Sequence, residues 1–241
     1  MSASRRWGLL WAVAGGVVLT AGVIAIIIAS LSNQPPPPGP TGSTSPSTTA
    51  PSSPPVDEAG AVVDAGVVES GWLPEPITTD PETYVRAALA AASTFDTTVS
   101  TRDEWLAYLD SWFTPDTRYD EADRDAELAA AKLELRQGVV FPQEQWDGLA
   151  AQDGRVSAAA VGDVVLSAVP EDASGDMRIG TADVELTFTQ SDGTGNESSY
   201  TESVRVSVQV LCGPGSVPTS ESAQRPGDCK VVRYFTEPVE D

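Results

Sequence analysis

The chain has 241 residues, 35 acidic and 14 basic side chains, no histidine and two cysteines, for a formal charge of −21. Imidazole is the commonest general base and transition-metal ligand, so its absence excludes Ser-His and Cys-His nucleophiles and disfavours zinc or copper centres. Arg5 and Arg6 are the only charges in the first 33 residues, which leaves the remainder at −23, a field that repels nucleic acid phosphate and anionic head groups.

Trp7 to Leu31 is a run of twenty-five residues without a charge. As a helix rising ~1.5 Å per residue it spans a hydrocarbon core of ~30 Å. Arg5 and Arg6 set its topology by the positive-inside rule, with residues 1–6 cytoplasmic, 7–31 the transmembrane anchor and the bulk of the chain extracytoplasmic. A cleaved signal peptide is the rival reading. The run exceeds the ~7 to 15 apolar residues of such peptides, and Ala29-Ser30-Leu31 and Leu31-Ser32-Asn33 match a small-x-small cleavage site poorly. Gly8, Ala12 and Gly16, and again Ala21, Ala25 and Ala29, recur every four residues, a spacing that lets membrane helices pair. The six-residue cytoplasmic tail is too short for an output domain.

Every residue from Pro35 to Pro55 is Pro, Ser, Thr, Gly or Ala, nine of them proline. Such a stretch builds no core and reads as a polyproline-like stalk, reaching up to ~65 Å at ~3.1 Å per residue. Val56 to Pro76 mixes acids with short apolar pairs and glycines, an irregular lead-in that completes a 32–76 linker. Residues 77–241 then form one extracytoplasmic domain, a length that suits a single core.

Asp80-Pro81-Glu82 places an N-cap, a first-turn proline and an acid at the start of a first helix, with Val85, Ala88, Leu89 and Ala92 on one face. Thr101 to Glu104 is a capping box, and Trp105, Leu109 and Trp112 follow at helical spacing as a core stripe. A third helix is predicted from Asp120 to Gln137, with Gly138 just past its end. Its acids Asp120, Glu121, Asp123, Asp125 and Glu127 lack the glycine and spacing of an EF-hand and read as a solvated face. A short segment surrounds Trp146.

The period then changes to two. Val156 to Ala168 alternates; Ala182, Val184, Leu186 and Phe188 face a core while Thr181, Asp183, Glu185, Thr187 and Thr189 face water. Val204, Val206, Val208 and Val210 resume beyond a turn at Ser191 to Asn196, and Val231 to Phe235 supplies a fourth strand. Outside the cytoplasm Cys212 and Cys229 suggest a disulfide between strands three and four, the other reading being two buried thiols. The loop between them is expected to be exposed.

Helices followed by a four-stranded antiparallel meander give an α+β class, with a curved sheet wrapped around a helical layer in a cone. With the single anchor, the helix around Thr101-Arg102-Asp103-Glu104-Trp105 and Trp112-Phe113-Thr114-Pro115 and the Val/Ala strands from Val156 to Val210 resemble nuclear-transport-factor-like (NTF2-like) extracytoplasmic domains. Two such groups are similar: assembly subunits of type IV secretion and conjugation machines, and mammalian-cell-entry-associated membrane proteins of actinobacteria. The resemblance implies a non-catalytic, membrane-anchored scaffold that binds other envelope or secretion proteins, or itself in a homo-oligomer. It implies no cofactor, no metal and no direct nucleic acid contact, and no active-site residue transfers from either group. A pocket for a small hydrophobic ligand or lipid between sheet and helices is the alternative. A carboxylate enzyme using Asp183 and Glu185 is a third reading, weakened because a wet face does not raise the pKa of a catalytic acid.

Overall fold

The computed structural model describes residues 60–239, so the expected anchor at 7–31, the stalk at 35–55 and the topology residues Arg5 and Arg6 lie outside the described residues. Among the described residues, no helix is long and apolar enough to cross a membrane. The lead-in forms a β-bridge between Val62 and Pro76 and a 3-10 helix, Ala65–Ser70, which buries Val67. Trp72 stacks on Tyr108 at 5.0 Å between ring centres and donates its indole N–H to Ser100 Oγ. These residues are therefore part of the folded body.

Helix α1, Pro81–Ala91, starts where the sequence signals place it: Asp80 caps the Thr83 amide at 2.9 Å, and the hydrogen bonds from Thr83 hold its carboxyl below the usual range against the small opposing effect of burial. Strand β1, Phe95–Asp96, follows, then α2, Arg102–Asp110, whose capping box closes with Glu104 and Thr101 bonding each other's backbone amides. Helix α3, Glu121–Glu134, buries no residue fully; only Leu128 and Ala131 lean on the core. It does not run on to Gln137. The chain widens into a π turn, Leu135–Val139, which contains Gly138 instead of stopping before it. A Cβ on Gly138 would lie within 2.3 Å of Thr236 Cγ2, so that glycine is there for close approach of the C-terminal segment. Helix α4 is Gln143–Ala150.

Strands β2, Arg155–Ala168, β3, Met177–Ser191, β4, Glu197–Leu211, and β5, Lys230–Tyr234, complete a curled antiparallel sheet in the order β1-β2-β3-β4-β5. The sheet has five strands where the alternation indicates four. The extra one, β1, pairs only Phe95 with Val156 and Asp96 with Arg155, and two residues are too short to show a period. Helix α1 lies across β2, β3 and β4. It comes so close that a Cβ on Gly180 would meet Val85 at 2.5 Å, which is why β3 carries a glycine mid-strand.

The main core joins Tyr84, Leu89, Phe95, Trp105, Trp112 and Leu135 to the inward residues of β3. The aromatic stripe of α2 is thus core. A second, smaller cluster sits on the opposite face of the sheet: Val169, Met177, Ile179, Leu211 and Val232, with Phe235 and Val239 against it. This corrects the expectation that the odd face of β3 is wet throughout. Thr181 is buried because the C-terminal tail folds back over it, its hydroxyl meeting Ser207 Oγ at 2.6 Å and the Val239 carbonyl at 3.1 Å. The β4 alternation also holds only in part: Val208 and Val210 are buried, but Val204 is 38% exposed.

Candidate functional site

Two sites emerge, one closed and one open. The closed site centres on Glu75 and Lys230, both fully buried and 2.8 Å apart. The same Glu75 oxygen accepts from the Tyr84 hydroxyl at 2.5 Å and from Gln224 Nε2 at 3.1 Å. The Lys230 ammonium also donates to the Ser111 carbonyl and to Thr219 Oγ1, each at 2.7 Å. Burial pushes the Lys230 pKa down, and the charge on Glu75 opposes that shift. The lead-in, α1, the end of α2, the 213–229 loop and β5 are all tied to one carboxylate. With Glu75 and Lys230 both closed off from solvent, this network ties those segments of the fold together.

The 213–229 loop is exposed along much of its length, as expected, and the network accounts for the part that is not. Gln224 is buried because Lys230 and Glu75 need polar partners where water is excluded, and the buried Ser216 accepts from the Gly227 amide within the loop. The Cys212–Cys229 disulfide closes the same loop, linking the end of β4 to the residue before β5. The cysteines are 17 positions apart in sequence, and chain entropy accounts for about 3 kcal/mol. Replacing both by serine is expected to lower the unfolding free energy by about that amount in urea titration, and reduction of the unaltered chain should reproduce the loss.

Tyr84, Tyr108 and Tyr234 cluster around the same carboxylate. Burial is the main cause holding all three phenols above their ordinary value of 10.0, and the negative charge of Glu75 adds to it. Unfolded tyrosines ionise near pH 10 while the folded ones keep their protons, so this stabilisation is complete below pH 10 and is lost as pH rises through the higher folded values. Lys230, shifted down, acts in the opposite sense only until its unfolded value of 10.5 is passed. Urea titrations should show stability falling above about pH 10, at up to ~1.4 kcal/mol per tyrosine per pH unit. A flat profile to about pH 12 would contradict the assignment.

The open site is a trough on the inner side of the sheet. Its floor is the first half of β4, where Tyr200, Glu202, Val204 and Val206 stand opposite Phe188, Leu186, Val184 and Ala182 of β3. Its wall is the segment from Gln137 to Pro142 with Gln145 of α4. Two hollows of about 400 and about 370 Å3 make up the trough and share Phe141, Gln145 and Glu202. Phe141 packs edge-on to Phe95 at 5.6 Å and to Phe188 at 5.7 Å, and Tyr200 stacks flat on Phe188 at 4.7 Å. A narrower cleft of about 80 Å3 between α3 and β5, lined by Asp116, Glu127, Glu134 and Arg233, has room for little beyond water.

The two rims of the sheet differ. Along β2, Thr94 Oγ1 accepts from the Ala158 amide, Arg86 donates to the carbonyls of Ala160 and Gly162, and a bulge breaks the register between Val161 and Val165. Along β4, strand β5 pairs only from Val208 onward, and Phe235, donating to the Ser207 carbonyl, is where the chain turns away. Among the described residues no strand flanks Glu197 to Val204 on that side. That stretch has no proline, lysine or bulge.

Of the residues named from the sequence, Cys212 and Cys229 are joined as expected. Asp183 and Glu185 stand exposed on the outer face, Asp183 paired to Arg205 at 3.2 Å. Asp120, Glu121, Asp123 and Asp125 are exposed. The sequence reading names neither the Glu75–Lys230 network nor which residues line the trough, although a pocket between sheet and helices is its alternative. Lys230, one of two lysines and set inside a Val/Tyr strand beside Cys229, was the available signal for the first.

The chain matches no protein-family model and no curated protein. Among solved structures it is similar to the crystal structure of CagV, a VirB8 homolog of a T4SS from Helicobacter pylori strain 26695. The identity is 13%, the match covers 55% of this chain and 78% of that one, and the TM-score is 0.30.

Proposed function

We propose that the chain is a non-catalytic, membrane-anchored extracytoplasmic assembly subunit whose folded body docks other proteins of an envelope or secretion machine. The observation that carries this reading is the trough: a wall and floor of mixed apolar and polar side chains lying beside a sheet rim that no strand flanks among the described residues. The sequence supports it with an apolar segment behind two arginines, a proline-rich stalk and a disulfide pair suited to an oxidising compartment. With no histidine in the chain and Asp183 and Glu185 exposed, the residue types argue against acid–base or nucleophilic chemistry.

A hydrophobic small molecule is the second reading, favoured by the volume of the larger hollow and by Leu89, Phe141, Leu186, Val206 and Phe235 around it. The trough is open along its length and carries Glu202 in its floor, which suits a protein surface better than a buried lipid tail. A photoreactive amino acid at Gln145, in the full chain in native membranes, tests the two. Adducts to a specific envelope protein are expected. Recovery of the monomer alone would end the assembly reading, and stabilisation by fatty acids in a thermal-shift series would favour the second.

A further inference from the structure

The mode of docking can be read from the rim, granted the assembly reading above. We infer that the Glu197 to Val204 stretch of β4 accepts an extended segment of a partner protein as a sixth strand, with apolar residues beside Tyr200 and Val204 and a basic residue between them opposite Glu202. Strand edges are templates for further pairing unless they are blocked. Here the β2 rim is blocked by Thr94, Arg86 and a bulge, and the β4 rim beside the trough is left regular. Strand β5 would fill the slot if it continued, but the chain leaves at Phe235 and its tail is held on the outer face by Ser207 and Thr181.

Among the described residues no segment supplies the missing strand. Pro35 to Pro55 has nine prolines, which cannot donate to a ladder. A second copy would bring together two bodies of charge −23 and would crowd Glu197 and Glu202 of both copies into one short ladder. A segment carrying a cation opposite Glu202 gains where a second copy loses. The inward pattern Tyr200, Glu202, Val204 therefore asks for apolar, basic, apolar at alternate positions of the partner, with small polar residues facing outward beside Ser199, Thr201 and Ser203.

The test uses backbone direction. Ser207 turns its carbonyl to the rim, where Phe235 donates to it, and the β3–β4 register is unbroken, so Thr201 and Ser203 turn their amides the same way. Proline at either position removes a rim donor without touching the β3 ladder or the trough side chains. With the full chain in detergent, the labelled peptide Thr-Val-Thr-Lys-Thr-Val-Thr is titrated by fluorescence anisotropy. Thr201→Pro and Ser203→Pro should each weaken binding at least about tenfold, and Glu202→Lys should reverse the preference between this probe and its Lys-to-Glu version.

Proline variants with an unchanged urea midpoint that bind within about twofold of the unaltered chain would overturn the inference. If those variants do not fold, hydrogen exchange of the unaltered chain decides: added peptide must slow the amides of Thr201 and Ser203, and no slowing refutes strand addition. No binding by the unaltered chain at millimolar probe refutes the stated partner chemistry, as does a dimer that Ser203→Pro dissolves. Membrane adducts at Gln145 that persist in the proline variants would leave the assembly reading standing while removing this mode. Absence of adducts in the unaltered chain would remove the reading itself.

Discussion

Replacing Lys230 by methionine is expected to lower the unfolding free energy by about 3–5 kcal/mol, because it strands a buried carboxylate without its cation. Glu75 would keep the Tyr84 hydroxyl and Gln224 as donors and lose the ammonium that lies 2.8 Å away. Glu75→Gln alone should cost less, since Lys230 is already pushed toward its neutral form by burial and keeps Ser111 and Thr219 as partners. The double variant should lose less than the sum of the two, because a neutral amide beside a methionine leaves no unpaired charge. Urea titration of all four chains measures this. Losses that add to within about 0.5 kcal/mol would show that the pair is not coupled.

The same energetics hide this network from the sequence. A strand reading needs only the β-forming run of Val231, Val232 and Tyr234, and it treats a flanking lysine as solvent-facing because lysines usually are. Glu75 sits between Pro74 and Pro76, in a stretch whose glycines and prolines read as a linker, so nothing local marks it as core. Only the partnership of residues 155 positions apart makes either burial affordable. By contrast the capping box at Thr101, the cap at Asp80, the β3 core face and the cysteine pair were legible, since each is set by neighbours a few residues away or by chemistry that a count reveals. Local periodicity also failed where tertiary cover decides. Val204 and Val208 share one alternating run, yet only Val208 is buried, because β5 reaches one and not the other.

Trp146→Ala should be the second severe lesion, at about 3–5 kcal/mol, and its effect should be concentrated in the trough wall. Trp146 is 4% exposed and stacks on Phe95 at 4.3 Å and on Trp105 at 5.6 Å. Helix α4 has eight residues, of which only Trp146 and Leu149 are buried, so too short a segment rests on these two anchors to stay helical without them. Removing the indole frees α4 and, with it, Gln145 and the neighbouring Phe141 that form the wall. Hydrogen exchange should then show residues 143–150 opening at much lower free energy than the β3–β4 ladder. Peptide binding should weaken although the β4 rim is untouched, which separates the contribution of the wall from that of the backbone edge. Unchanged protection across 143–150 would mean that the helix is held by contacts other than this aromatic stack, and the wall would then not be the part of the site that α4 positions.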